Sequence, residues 1–138
     1  MNIVIDTNVV ISGTFFGGAP RRVLEAVVDK TLSAYATAEI VEEYTEIVQE
    51  MLDRKQGHLT TAVLTPFVQN LHLVEAVTSV KASRDPDDDK FLGCAIDSRS
   101  YYIVSGDKDL LVLENYEGIE IITAADFCKR FLSEEDDR

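Results

Sequence analysis

The sequence predicts a three-layer α/β/α fold with a central parallel sheet of four to five strands. Three observations carry this expectation. Short apolar runs, such as Asn2-Ile3-Val4-Ile5 and Ile119-Glu120-Ile121-Ile122, have the length and branching of buried strands. Between them lie longer segments whose apolar residues recur every three or four positions, the spacing of a helix face. Strands that alternate with helices pair in parallel, because a parallel pair needs a crossover. No internal repeat, low-complexity linker or domain boundary interrupts the pattern.

Taken in order, residues 2–6 read as a buried strand ending at Asp6. Thr7 to Gly18 reads as loop or a short turn of helix, punctuated by Gly17-Gly18. Pro20 suits the first turn of a helix over about residues 19–30, where its missing N–H costs nothing. Leu32 to Ala36 is a second strand. From Thr37 onward Ile40, Val41, Tyr44, Ile47, Val48, Met51 and Leu52 form one apolar stripe, with Gly57 ending the helix. Another helix is expected over about residues 60–70, and a short strand over His72 to Val77. Thr78 to Pro86 is a loop in which Pro86 drives Asp85 out of helical geometry. A helix then runs from Asp88 to Ser98, a strand from Tyr101 to Ser105, a short helix from Lys108 to Leu113, and a strand from Ile119 to Ile122. Thr123 with Asp126 has the spacing of a capping box for a last helix ending near Phe131.

At 138 residues and 46% hydrophobic composition the chain is expected to form one domain over residues 1–133. Residues 134–138 read as an acidic, frayed tail. The strand-like start leaves no room for a signal peptide, and no apolar run has membrane-spanning length. Cys94 and Cys128 lack paired spacing and read as buried thiols, so a cytoplasmic protein is expected. His58 and His72 are isolated and read as surface or partly buried residues. The net charge of −12 argues against any broad polyanion-binding face. Basic residues do flank the acidic clusters. Lys81, Arg84, Lys90 and Lys108, with Arg21-Arg22, are expected to supply a local positive rim, Arg84 and Lys108 foremost.

Carboxylates stand at the ends of these elements. Asp6 closes the first strand, with Thr7 and Asn8 beside it. Glu43 lies nearest the apolar stripe of a glutamate-rich helix, with Glu50 only slightly further round. Asp85, Asp87, Asp88 and Asp89 crowd a helix start, more than capping requires. Asp107 and Asp109 follow another buried strand, where the Ser105 hydroxyl can orient one of them. In an open α/β sheet such positions share one crevice. Converging carboxylates repel and resist desolvation, and hard divalent ions with oxygen ligands relieve both costs. A Mg²⁺ or Mn²⁺ site is expected. Motifs for serine hydrolases, P-loops and dinucleotide binding are missing from the sequence.

The motifs Val4-Ile5-Asp6-Thr7-Asn8, Glu42-Glu43-Tyr44, Arg84-Asp85-Pro86-Asp87-Asp88-Asp89-Lys90-Phe91-Leu92 and Val104-Ser105-Gly106-Asp107-Lys108-Asp109-Leu110-Leu111 together resemble the PIN domain family. The chain looks most similar to the stand-alone prokaryotic branch of VapC-type toxins. That resemblance implies a metal-dependent ribonuclease, a protein antitoxin partner and a homodimer. By position it implies Asp6, Glu43, Asp89 and Asp107 as the acidic quartet, with Asp109 a peripheral fifth; Asn8 and Ser105 are expected behind them from the residues alone. The residues alone leave Asp88 and Asp89 as alternatives. Aspartate-based phosphoryl transfer is a rival reading, but Asn8 stands where a phosphatase of that kind needs a second Asp. A receiver domain would need an acceptor Asp on a middle strand, and Asp53 falls at a helix end. A silent PIN-like binding scaffold is weakened by the full set of acidic positions.

Overall fold

In a computed structural model, which describes residues 1–55 and 61–132, a six-stranded sheet runs in the order β3-β2-β1-β4-β6-β5. Its strands are β1 (Asn2–Ile5), β2 (Ser33–Ala36), β3 (His72–Leu73), β4 (Tyr102–Val104), β5 (Asn115–Tyr116) and β6 (Ile119–Ile122). All pairings are parallel except that of β5 with β6. Around the sheet lie α1 (Thr7–Phe15), α2 (Gly18–Val28), α3 (Ala38–Lys55), α4 (Leu64–Gln69), α5 (Asp89–Asp97), α6 (Lys108–Leu111) and α7 (Ala124–Phe131). The expected α/β architecture is therefore present. Ile3, Val4 and Ile5 are all buried, as a central strand covered on both faces requires.

The strand expected over His72 to Val77 is only the two residues of β3, and two elements depart further from expectation. The segment after Asp6 is a nine-residue helix, although Val9, Val10, Ile11 and Gly13 are weak helix formers. Packing decides it. Gly13 lets α1 approach α2 so closely that an added Cβ would stand 2.7 Å from Leu24 Cδ1. The second difference is β5, which pairs with β6 through a hairpin turned at Glu117-Gly118. Both residues have positive φ, 52° and 81°, the conformation of a type I′ turn. The helix expected from residue 60 is observed as α4, from Leu64. Its predecessor's end at Gly57, His58 and the acidic tail lie outside the described residues. Cys94 and Cys128 are buried thiols outside any disulfide, and burial pushes Cys94 up to about 12. Thr123 caps α7, accepting from Asp126 N–H at 3.2 Å.

The loop before α5 is strapped along one side of that helix. Asp97 accepts from the N–H groups of Val77 and Thr78 (2.8 and 3.0 Å), and Asp89 accepts from those of Ala82 and Ser83 (3.2 and 2.8 Å). Asp89, Gly93 and Asp97 are four residues apart and so share a face. At Gly93 the strap comes so near that a Cβ would lie 2.8 Å from the Thr78 carbonyl oxygen. Alanine normally stabilises a helix interior over glycine by about 1 kcal/mol. Here the opposite is expected: Gly93→Ala must displace backbone held by Asp97, at a net cost of about 1–3 kcal/mol. A urea titration measures it, and an unchanged midpoint would contradict this packing.

Candidate metal centre

The sheet order changes direction between β1 and β4, the switch point where α/β sheets open a crevice at their carboxyl ends. Register fixes the residues there. Ile5 pairs with Val104, and Asp6 N–H continues the ladder to Val104 O at 2.9 Å, which brings Asp6 beside Ser105. The Ser105 hydroxyl donates to Asp6 Oδ2 at 2.7 Å and accepts from Asp107 N–H at 2.9 Å. Instead of orienting the Asp107 or Asp109 carboxylate, this hydroxyl orients that of Asp6 and ties it to the Asp107 backbone. Asp6 stands at the N-cap of α1 without a well-formed capping hydrogen bond, though the nearby Asn8 and Thr7 N–H groups help hold its charge. It is only 3% exposed. Burial raises its pKa, the Ser105 hydrogen bond opposes this, and the charge of Asp107 raises it further.

Asp107 caps α6, its Oδ1 accepting from Asp109 N–H at 2.8 Å. Facing it is Asp88. The local geometry explains why. Asp85 caps a 3₁₀ turn (Pro86–Asp88), accepting from Asp87 N–H at 3.0 Å, and residues three apart eclipse in such a turn. Asp85 and Asp88 thus come together, and with Asp109 they offer carboxylate oxygens within 4.8 Å of one another. Asp88 is buried, 6% exposed. Burial, then the charges of Asp107, Asp6 and Asp85 and a hydrogen bond with Asp107, push its pKa up to about 7.

Asp89, which the resemblance put in the quartet, is turned elsewhere. One residue further round, its carboxylate carries the strap at Ala82 and Ser83, and the carboxylate facing Asp6 and Asp107 is that of Asp88. No helical periodicity separates neighbours at a helix start. The 3₁₀ turn, signalled only by Asp85-Pro86, does.

Glu43 reaches the other flank. Tyr44, fully buried, donates its hydroxyl to Ile5 O at 2.5 Å and pins α3 to the end of β1. That contact sets Glu43 beside Thr7, whose hydroxyl donates to Glu43 Oε2, while Lys90 Nζ lies 2.7 Å from Oε1. Burial would lower the Lys90 pKa, but the Glu43 hydrogen bond and the charges of Glu43, Asp87 and Glu39 outweigh it and leave it raised. Of the other expected cations, Arg84 pairs with Asp109 at 2.8 Å and is well exposed. Lys81 and Lys108 are exposed at the surface. Arg21 is committed to the Gly13 and Thr14 carbonyls, and Arg22 to Leu132 O. Asn8 is exposed on α1. His72 is exposed and stacks on Tyr35, 4.9 Å between centroids.

Among the described residues, then, no cation pairs with Asp6, Asp88 or Asp107. Two of these carboxylates are raised in pKa, the mark of crowded negative charge short of solvent and counter-charge. An all-oxygen donor set of this kind fits a hard divalent cation.

Comparison with known proteins agrees with the fold. An uncharacterized protein of Methanocaldococcus jannaschii, MJ1680, is 29% identical over 119 residues, covering 83% of this chain and 76% of that protein. The family model of the PIN domain, a domain that is generally a metal-dependent nuclease, matches residues 2–109, from β1 through the acidic residues of the β4–α6 connection. The chain belongs to the PIN domain family.

Proposed function

We propose that the chain is a Mg²⁺- or Mn²⁺-dependent endoribonuclease that hydrolyses RNA phosphodiester bonds. The observation that carries this reading is the trio Asp6, Asp88 and Asp107, gathered at the switch point without a cation. These three are the proposed principal ligands, with Asp88 taking the place first given to Asp89. Glu43 and Asp109 complete the acidic rim. A bound divalent ion supplies Lewis-acid activation of water and neutralises charge at the phosphate. The protein's own residues prepare that chemistry. Ser105 fixes the Asp6 oxygen, the Asp109 N–H fixes Asp107, and Asp88 must lose its proton before it can ligate. With no histidine in the trio's surroundings among the described residues, the carboxylates hold the ion rather than attack.

The resemblance to VapC-type proteins supports RNA as substrate, a cognate antitoxin as partner, a homodimer, and action in the cytoplasm. No helix among the described residues is long and apolar enough to cross a membrane. Incubation with a panel of RNAs in Mn²⁺, with and without chelator, tests the reading. Chelator-sensitive cleavage is expected, and its absence across the panel, or persistence in chelator, contradicts it. A small antitoxin gene adjoining this one, whose product suppresses cleavage, is expected for the toxin role.

The proposed substrate contact uses Arg84 and Lys108 at the rim. Counterion release makes log affinity fall with log salt in proportion to the phosphates met. With two cations proposed to meet phosphate the slope should be shallow, about −1 to −2. Arg84→Ala with Lys108→Ala is expected to weaken RNA binding and flatten that slope while leaving metal affinity unchanged. Equal affinity of variant and parent across a salt titration would remove both residues from the interface.

A further inference from the structure

The proposed metal centre, on which this inference rests, has a half-buried cation on its Glu43 flank, in addition to the exposed Arg84 on Asp109. Lys90 Nζ sits 2.7 Å from Glu43 Oε1 and donates to Asp87 O at 2.9 Å, and it lies 5.3 Å from the centre of the Phe91 ring. Its side chain is only 17% exposed, unlike an ordinary surface lysine. The second oxygen of Glu43 is taken as well, by the Thr7 hydroxyl. Thr7 follows Asp6 in the chain, and the charges of Asp6 and Glu43 both act on the buried Tyr44 hydroxyl, so the pair neighbours the trio on its Asp6 side.

A second divalent ion at Glu43 would have to displace the ammonium or share the carboxylate with it. At a few ångströms, in surroundings partly shielded from water, such like charges repel strongly. We propose that Lys90 takes the place of a second metal ion. The centre holds one divalent ion on Asp6, Asp88 and Asp107, and the Lys90 ammonium, fixed by Glu43, is the second positive charge beside the phosphate. Glu43 is then a positioning residue for Lys90 rather than a metal ligand.

Counting Mn²⁺ ions tests this without any measure of cleavage. In calorimetric titration of the full chain near neutral pH, read alongside the spectroscopic signal of spin-coupled manganese pairs, the parent is expected to bind one Mn²⁺. Lys90→Met frees Glu43 and is expected to bind a second ion and develop the coupled signal. Lys90→Arg keeps the charge and stays at one. Glu43→Gln is informative even if Lys90→Met fails to fold: it should still bind one ion with little change in affinity. Two ions on the parent, or loss of an ion in Glu43→Gln, would overturn the role of Lys90 while leaving a metal-dependent nuclease intact. If the parent binds no Mn²⁺, the metal-centre reading itself falls.

Discussion

Asp6→Asn is expected to reduce phosphodiester cleavage about a thousandfold or more while the chain stays folded. The substitution keeps size and shape. The Ser105 hydroxyl can still donate to the side-chain oxygen, so the end of β1 keeps its main contact. What goes is a buried negative charge beside Asp107. Lewis-acid stabilisation at phosphorus is worth several kcal/mol, and each ~1.4 kcal/mol is tenfold in rate. A weakly held or misplaced ion forfeits most of that. The metal-free variant should be more stable than the parent near neutral pH, since one source of repulsion is gone. Steady-state cleavage at saturating Mg²⁺ together with thermal melts in chelator checks both halves. Full activity at saturating Mg²⁺ would sink the account.

Asp88 and Asp89 should separate cleanly. Asp88→Asn is expected to weaken Mn²⁺ binding by at least about tenfold, whereas Asp89→Asn should keep the ion and loosen the strap at Ala82 and Ser83. The pH dependence adds a second signature. Asp88 titrates at about 7 in the fold against 3.8 in an ordinary environment, so between those values the folded state holds a proton that the unfolded state has lost. Stability from this group is full below about pH 4 and is lost as pH rises through about 7. Asp6 is shifted in the same direction. The metal-free parent should therefore lose stability from pH 5 to pH 8, by about 2 kcal/mol or several degrees in melting temperature. Asp88→Asn should remove much of that slope, and Asp89→Asn should not. Thermal melts across this range, in chelator, read it out. If the flat profile belongs to Asp89→Asn instead, the two residues have been exchanged.

The sheet was legible because its central strands are buried on both faces and their apolar runs are short and unbroken. Asp6 and Asp107 could be read for the same reason: each follows such a run, and strand ends at a switch point converge whatever their separation in the chain. Glu43 was harder. Five glutamates share its helix, and what sets it beside Thr7 is the long-range contact of Tyr44 with Ile5 O. Helix α1 was obscured because its own residues favour it weakly, and packing of Gly13 against Leu24 compensates. The choice between Asp88 and Asp89 was illegible to a helical period, since a 3₁₀ turn precedes α5 and shifts the facing carboxylate by one residue. The pairing of Lys90 with Glu43 joins two helices distant in sequence, and no local pattern announces it.

The most direct test is a crystal structure of the full chain grown with Mn²⁺, with diffraction collected at the manganese edge. An anomalous peak is expected within coordination distance, about 2.0–2.3 Å, of carboxylate oxygens from Asp6, Asp88 and Asp107. A peak held only by Asp85 and Asp109 at the outer rim, or no peak at saturating Mn²⁺, would contradict it.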